Sequence, residues 1–230
     1  MRGYTNISEI RMYAAFALTL LPIAVLCYKG NLSIGTISAY PLLGILILML
    51  AGSLVEIPVL KTRSKKTEQL LRFAPLIENI YSVPIVKELN IGKERVFETT
   101  ITLNVGGFIV PLIAIAYLLV TQSNITALEV MLIVIIAVTL LSEMVNGVGI
   151  VVPQYIGIIA IPFALLTAPQ DSESIIFIAG IAGILLGTIA AIVAFNKEKS
   201  GSAYISIGGA GNFKAIYITA LLASLISYFT

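Results

Sequence analysis

The chain has 230 residues, no histidine at all and a single cysteine, Cys27. Without histidine it lacks the commonest zinc ligand and the side chain that titrates near neutral pH. One cysteine forms no internal disulfide. Charge is scarce too: Asp, Glu, Lys and Arg make up 11% of the residues, and the formal net charge is only +2. That is too little for an electrostatic footprint on nucleic acid, so no nucleic-acid partner is expected. In their place stands an apolar fraction of 58%. Soluble domains of this length rarely have such a composition.

The apolar residues come in long blocks rather than in short alternating runs, which selects membrane helices over a barrel. The predicted fold class is all-α: one polytopic membrane domain over residues 1–230, with about seven transmembrane helices, some interrupted by Gly or Pro. The blocks run Met12–Tyr28, Ile37–Leu60, Phe97–Val120, Ile125–Val145, Val148–Ala168, Ser174–Phe195 and Ala203–Phe229. The first could be read as a signal peptide. No small-x-small cleavage pattern follows it, and it is taken as a retained helix. Only Asn146 and Gly147 part the fourth block from the fifth, and charge decides that they are two. Seven crossings put Arg2, Arg11, Lys61, Arg63, Lys65, Lys66, Arg72, Lys87, Lys93, Arg95, Lys197 and Lys199 on the N-terminal side and Lys29 on the other. The positive-inside rule then places the N-terminus in the cytoplasm and the C-terminus outside the cell membrane. Residues 61–96 form a long cytoplasmic loop. It opens with Lys-Thr-Arg-Ser-Lys-Lys, a cluster suited to anionic headgroups, and Pro75 and Pro84 argue against one continuous helix there.

Polar residues inside such segments are candidate functional residues, because lipid does not solvate them. Glu56, Glu98, Glu143, Asn146 and Gln154 fall in the predicted cytoplasmic half, joined by Asn104, Asn212 and Lys214. All eight are expected to line one polar cavity. For each glutamate the plainer alternative is an interfacial carboxylate that reaches water. Lys214, about 16 Å along the last segment at about 1.5 Å per residue, is expected to need a buried carboxylate, with Glu98, Glu143 and Glu56 available.

Glycine marks the predicted helix breaks. Asn104-Val-Gly106-Gly107 in the third segment is echoed by Ser206-Ile-Gly208-Gly209 in the seventh, which continues Ala-Gly211-Asn212-Phe-Lys214. Breaks of this kind free backbone groups for ions or substrates. Gly180, Gly183 and Gly187 of the sixth segment are read as helix-packing positions.

Four motifs in this order carry a resemblance: Asn104-Val-Gly-Gly-Phe-Ile-Val-Pro-Leu-Ile, Gly147-Val-Gly-Ile-Val-Val-Pro, Gly180-Ile-Ala-Gly-Ile-Leu-Leu-Gly-Thr, and Ser206-Ile-Gly-Gly-Ala-Gly-Asn-Phe-Lys-Ala-Ile-Tyr-Ile-Thr. From about Ile57 to the C-terminus the chain resembles the prokaryotic multi-pass family catalogued as domain of unknown function 1614. The resemblance implies a compact bundle with acidic residues facing an internal cavity and a role in divalent cation, specifically calcium, permeation. The family pattern usually has aspartates late in the sixth span and after the phenylalanine of the last motif; here Val193 and Lys214 stand there. A carboxylate ring for a hard cation is thinned at both places.

The expectation is a non-enzymatic, channel- or transporter-like membrane protein. Its partners would be the bilayer and small cations, with homo-oligomers compatible, and it would carry no cofactor. One alternative is an inactive relative of presenilin-type intramembrane proteases, since Gly209-Ala-Gly211-Asn212 resembles their Gly-x-Gly-Asp motif without its aspartate, and that chemistry needs two carboxylates. The other is a structural membrane subunit.

Overall fold

A computed structural model describes residues 7–65, 74–76, 78–79, 96–122, 124–145, 148–194, 202 and 204–230, and of residues 7–9, 63–65 and 96–98 the backbone. Most of the predicted cytoplasmic loop, with Asn146, Lys197 and Lys199, lies outside these residues.

Among the described residues, seven apolar helices follow the predicted segments in order. They are α1 (Ile7–Tyr28), α2 (Ala39–Gly52), α3 (Val105–Thr121), α4 (Ile125–Leu141), α5 (Ile156–Thr167), α6 (Pro169–Ala194) and α7 (Phe213–Ile226). Two of them, α1 and α6, are long and apolar enough to cross a membrane. The others are shorter. At 14 residues for α2 and α7 and 17 for α4, a rise of about 1.5 Å per residue gives about 21–26 Å, short of the hydrocarbon thickness of about 30 Å.

The chain is mostly helical, but five of the predicted spans begin or end as strand, and this corrects the boundaries. The second segment leaves its helix at Gly52 and runs on as β1 (Glu56–Lys65), so the first five residues of the predicted loop are strand. The third opens with β2 (Val96–Asn104). The fourth and fifth are joined through a short hairpin of β3 (Glu143–Val145) and β4 (Gly149–Val151), and the seventh opens with β5 (Tyr204–Ile207). The physical reason is local. Val96-Phe-Glu-Thr-Thr-Ile-Thr-Leu-Asn is rich in β-branched and aromatic residues, and from Thr100 to Asn104 it alternates polar with apolar, the period of a half-buried strand. The three longer strands form one sheet in the order β1-β2-β5, with β1 antiparallel and β5 parallel to β2.

Helix directions alternate, as contacts at one end of the bundle establish. There the Ser33 amide donates to Ser227 Oγ, the Gly35 amide donates to Glu173 Oε1, and the Thr36 and Thr121 hydroxyls bond at 2.8 Å. Thr230 donates to Glu173 Oε2. This end gathers the close of α1, α3, α5 and α7 and the start of α2, α4 and α6. A polar cavity of about 380 Å³, lined by Gln122, Asn124, Thr126 and Asp171 among others, opens at the same end. The sheet caps the opposite end.

The first half of α6 is the core of the bundle, buried without a break from Ser172 to Leu185. Methyl groups on Gly183 and Gly187 would overlap Val134 and Val138 of α4, so the two helices meet along a row of glycine facing valine. Thr219 of α7 fills the space that a side chain on Gly157 or Gly180 would need. Phe16 of α1 packs edge-on against Phe213 and Tyr217 of α7, with ring centroids 6.3 and 4.8 Å away. Outward faces stay apolar: Leu18, Ile113, Val120, Leu140, Leu166 and Val193 are all exposed. An exterior of this kind suits a lipid surround.

Gly187→Ala is expected to push α4 away from α6 and to lower stability by about 1–3 kcal/mol. Gly44→Ala, where an added methyl meets nothing within 4 Å, is expected to raise it by about 0.5–1 kcal/mol. Thermal melts in detergent compare the two. Equal effects would mean that the α4–α6 seam is not close-packed.

Candidate functional site

The site grows from the point where α2 ends. A helix leaves its last carbonyls unpaired, and in an apolar bundle each must find a donor inside the protein. Asn104 provides one. It is the last residue of β2 and fully buried, and its side-chain nitrogen donates to the Ser53 carbonyl at 2.7 Å. Its side-chain oxygen accepts from the Gly107 amide at 2.8 Å, which starts α3 with a wide turn over Val105–Ile109. The Val105 amide donates to the Val55 carbonyl at 3.0 Å. Asn104 is thus a clamp between α2 and α3 rather than the lining of a cavity.

Two glycines let the backbones meet. A methyl on Gly106 would overlap the Met49 carbonyl and the Ser53 amide of α2, and one on Gly107 would overlap the Gly208 carbonyl. Gly208 has φ +76°, in the left-handed region open to glycine, and abuts the Gly107 carbonyl in return. The two echoing motifs, Asn-Val-Gly-Gly and Ser-Ile-Gly-Gly, therefore touch each other backbone to backbone.

Glu56 stands beside this crossing. It is the first residue of β1, opposite Asn104 in register and half-buried. Its carboxylate accepts from the Thr102 hydroxyl at 2.7 Å through Oε2 and from the Ser206 hydroxyl at 2.8 Å through Oε1. Thr102 and Ser206 are neighbours in the β2–β5 ladder, so one carboxylate spans all three strands. Gly209 completes the enclosure, since a methyl there would overlap Ser206 Oγ and come within 2.6 Å of Glu56 Oε1.

Asn212 is buried among backbone carbonyls. Its amide nitrogen reaches Ser206 O at 3.3 Å or, with the amide turned over, Ile150 O at 3.1 Å and Gly211 O at 3.2 Å. It occupies the residue before α7 but makes no side-chain cap there, and the Phe213 amide is taken by the Gly209 carbonyl instead. Gly211, with φ +89°, passes close to the Ile150 carbonyl, and its own carbonyl accepts from the Val152 amide.

Glu56, Asn104, Asn212 and the five predicted break glycines thus form one network. The other predicted residues do not join it. Glu143 on β3 and Gln154 after β4 are exposed. The Glu98 side chain and Asn146 lie outside what is described. Lys214 sits in the first turn of α7, half-buried, with no carboxylate in ion-pair reach among the described residues. It lies nearer the sheet end than a continuous helix from Ala203 would place it, because residues 204–212 are spent on strand and turn.

Sequence reasoning missed Thr102 and Ser206 as ligands of Glu56, although the period-two pattern around Thr102 and the serine of the last motif were visible. It also missed Glu173, buried at the other end within the polar run Asp171-Ser-Glu-Ser. Among the described residues, no group of three or more Cys, Asp or Glu side chains is placed to hold a metal ion.

Residues 50–226 match the family described as Protein of unknown function (DUF1614). The chain belongs to this family. The match takes in the Gly106–Gly107 and Gly208–Gly211 crossing, Glu56 and all of α3 to α7, so the network is a feature of the part of the chain that is DUF1614. Neither a curated protein nor a solved structure matches the chain.

Asn104→Ala removes two buried hydrogen bonds and leaves the Ser53 carbonyl and the Gly107 amide unpaired. The expected cost is about 2–4 kcal/mol. Asn104→Asp keeps the acceptor for Gly107 but sets a carboxylate against a carbonyl, and is expected to be no better. An Asn104→Ala protein that melts with the parent would show that the crossing is held by other contacts.

Proposed function

We propose that this DUF1614 protein is a multi-pass membrane protein of channel or transporter type, in which Glu56 and the Gly107–Gly208 crossing form a polar site for a small cation. The observation that carries this reading is the half-buried Glu56 carboxylate with two hydroxyls at the meeting point of two interrupted segments. Non-helical backbone at membrane depth is tolerated where it is enclosed by protein or lines a cavity. Carboxylate and hydroxyl oxygens are hard ligands, and each hydroxyl can rotate to turn a lone pair toward a cation. The competing structural reading takes the same carboxylate as a clamp on three strands, and it is favoured by both oxygens already accepting hydrogen bonds.

The orientation proposed with it puts the sheet end in the cytoplasm. It follows from the alternating helices together with Arg11, Lys61, Arg63 and Lys65 at one end and Lys29 at the other. Cysteines introduced at Asn31 or Asp171 should be labelled from outside intact cells, and one at Ser64 only after permeabilisation. Cys27 is buried and gives little background. Labelling at position 64 in intact cells would reverse the map.

For the site itself, the purified protein in liposomes is expected to pass a monovalent or divalent cation. Glu56→Gln should lower that flux by about tenfold or more, since it removes the charge that meets the ion. Ser206→Ala should lower it less. Flux unchanged in Glu56→Gln would remove the carboxylate from the pathway. No flux in the parent, together with a lowered melting temperature in Glu56→Gln, would leave the clamp.

A further inference from the structure

Strand β1 is at the edge of its sheet, with β2 on one side and no strand among the described residues on the other. An open edge invites another strand, and three features of β1 discourage one. Pro58 carries no N–H to donate, the ladder slips between Pro58 and Leu60 so that Val59 is left without a partner, and Lys61 is exposed. Yet the strand is not dressed for water. Val59 is 52% exposed and Leu60 61%, with Leu54, Val55 and Ile57 also exposed beside them. From Lys61 onward the character changes, and the period-two alternation of a strand sets positions 61, 63 and 65, all basic, on one face.

From this arrangement we infer that β1 lies in the headgroup layer of an anionic bilayer, with Ile57, Val59 and Leu60 at the acyl boundary and Lys61, Arg63 and Lys65 against lipid phosphates. The inference rests on the membrane reading above. Charge selects the partner: three basic residues in five positions with no acidic residue among them match anionic phospholipid and would repel a second copy of the same stretch. Depth agrees. The helix before the strand, α2, has 14 residues and falls roughly 9 Å short of a hydrocarbon core of about 30 Å, a gap that about three residues of extended chain fill.

The chain contains no tryptophan, so one introduced tryptophan is an unambiguous probe. The full-length protein carrying Val59→Trp is reconstituted in vesicles of phosphatidylcholine with a minority of phosphatidylglycerol, one or the other brominated in the upper acyl chain. Val120→Trp, on the exposed face of α3 at 87% exposure, is the control for membrane insertion. The expected result is quenching at both positions. At position 59 it should be stronger from brominated phosphatidylglycerol than its share of the lipid predicts, by roughly fivefold for each basic residue engaged. The preference should fall to the lipid ratio in Lys61→Gln/Arg63→Gln/Lys65→Gln. Quenching at 120 but not at 59 would overturn the inference and leave the membrane reading standing, whereas quenching at neither would overturn the membrane reading. Quenching at 59 without preference for the anionic lipid would exclude the phosphate contacts. A Val59→Cys protein in a Cys27→Ser background that cross-links between copies would assign the edge to strand pairing.

Discussion

A peptide group that leaves a helix in apolar surroundings must find its partner within the protein, and this requirement shapes the sheet end of the molecule. Five of the seven helices are shorter than a membrane crossing. Where they stop, freed amides and carbonyls are taken up by strands and by Asn104, and glycine backbones pass in contact beside them. The cost of an unpaired buried peptide group is about 1–3 kcal/mol. Solutions built from strands and an amide side chain therefore decide which segments lie next to each other. Because Asn104 joins Ser53 to Gly107, α2 and α3 are neighbours; because Gly107 meets Gly208, the seventh segment is held against the third.

Much of this was legible in the sequence, and for identifiable reasons. Long apolar runs located seven helices, since burial from water and burial in lipid both demand them. The echo of Asn104-Val-Gly-Gly in Ser206-Ile-Gly-Gly was visible, and glycine at such density marked a break or a close approach, but that the two motifs meet each other was not. The strands were harder to read. Hydropathy averaged over some twenty residues gives Ile, Val and Leu the same weight in a strand as in a helix. Residues 97–104 and 204–207 were therefore absorbed into the helices that follow them, although the alternation of 100–104 was there to be seen.

Placing the strands also explains the residues that moved. Lys214 was expected deep inside a helix that would have begun near Ala203; with α7 beginning at Phe213, its ammonium is near the end of the bundle and half-exposed. Glu143 and Gln154 were expected in a cavity wall, but the short hairpin of β3 and β4 turns them outward. Glu56 stayed at the centre because β1 begins with it, opposite Asn104, where its charge meets hydroxyls from two strands.

The glycine–valine row between α4 and α6 has a consequence for any passage through the molecule. With Gly183 against Val134 and Gly187 against Val138, the seam has no room for an added methyl, and no lumen can run along it. The other side of α6 differs. There Thr219 of α7 fits against Gly180, while Tyr217 on another face of α7 packs against Phe16 of α1, and its buried hydroxyl has no hydrogen-bond partner among the described residues.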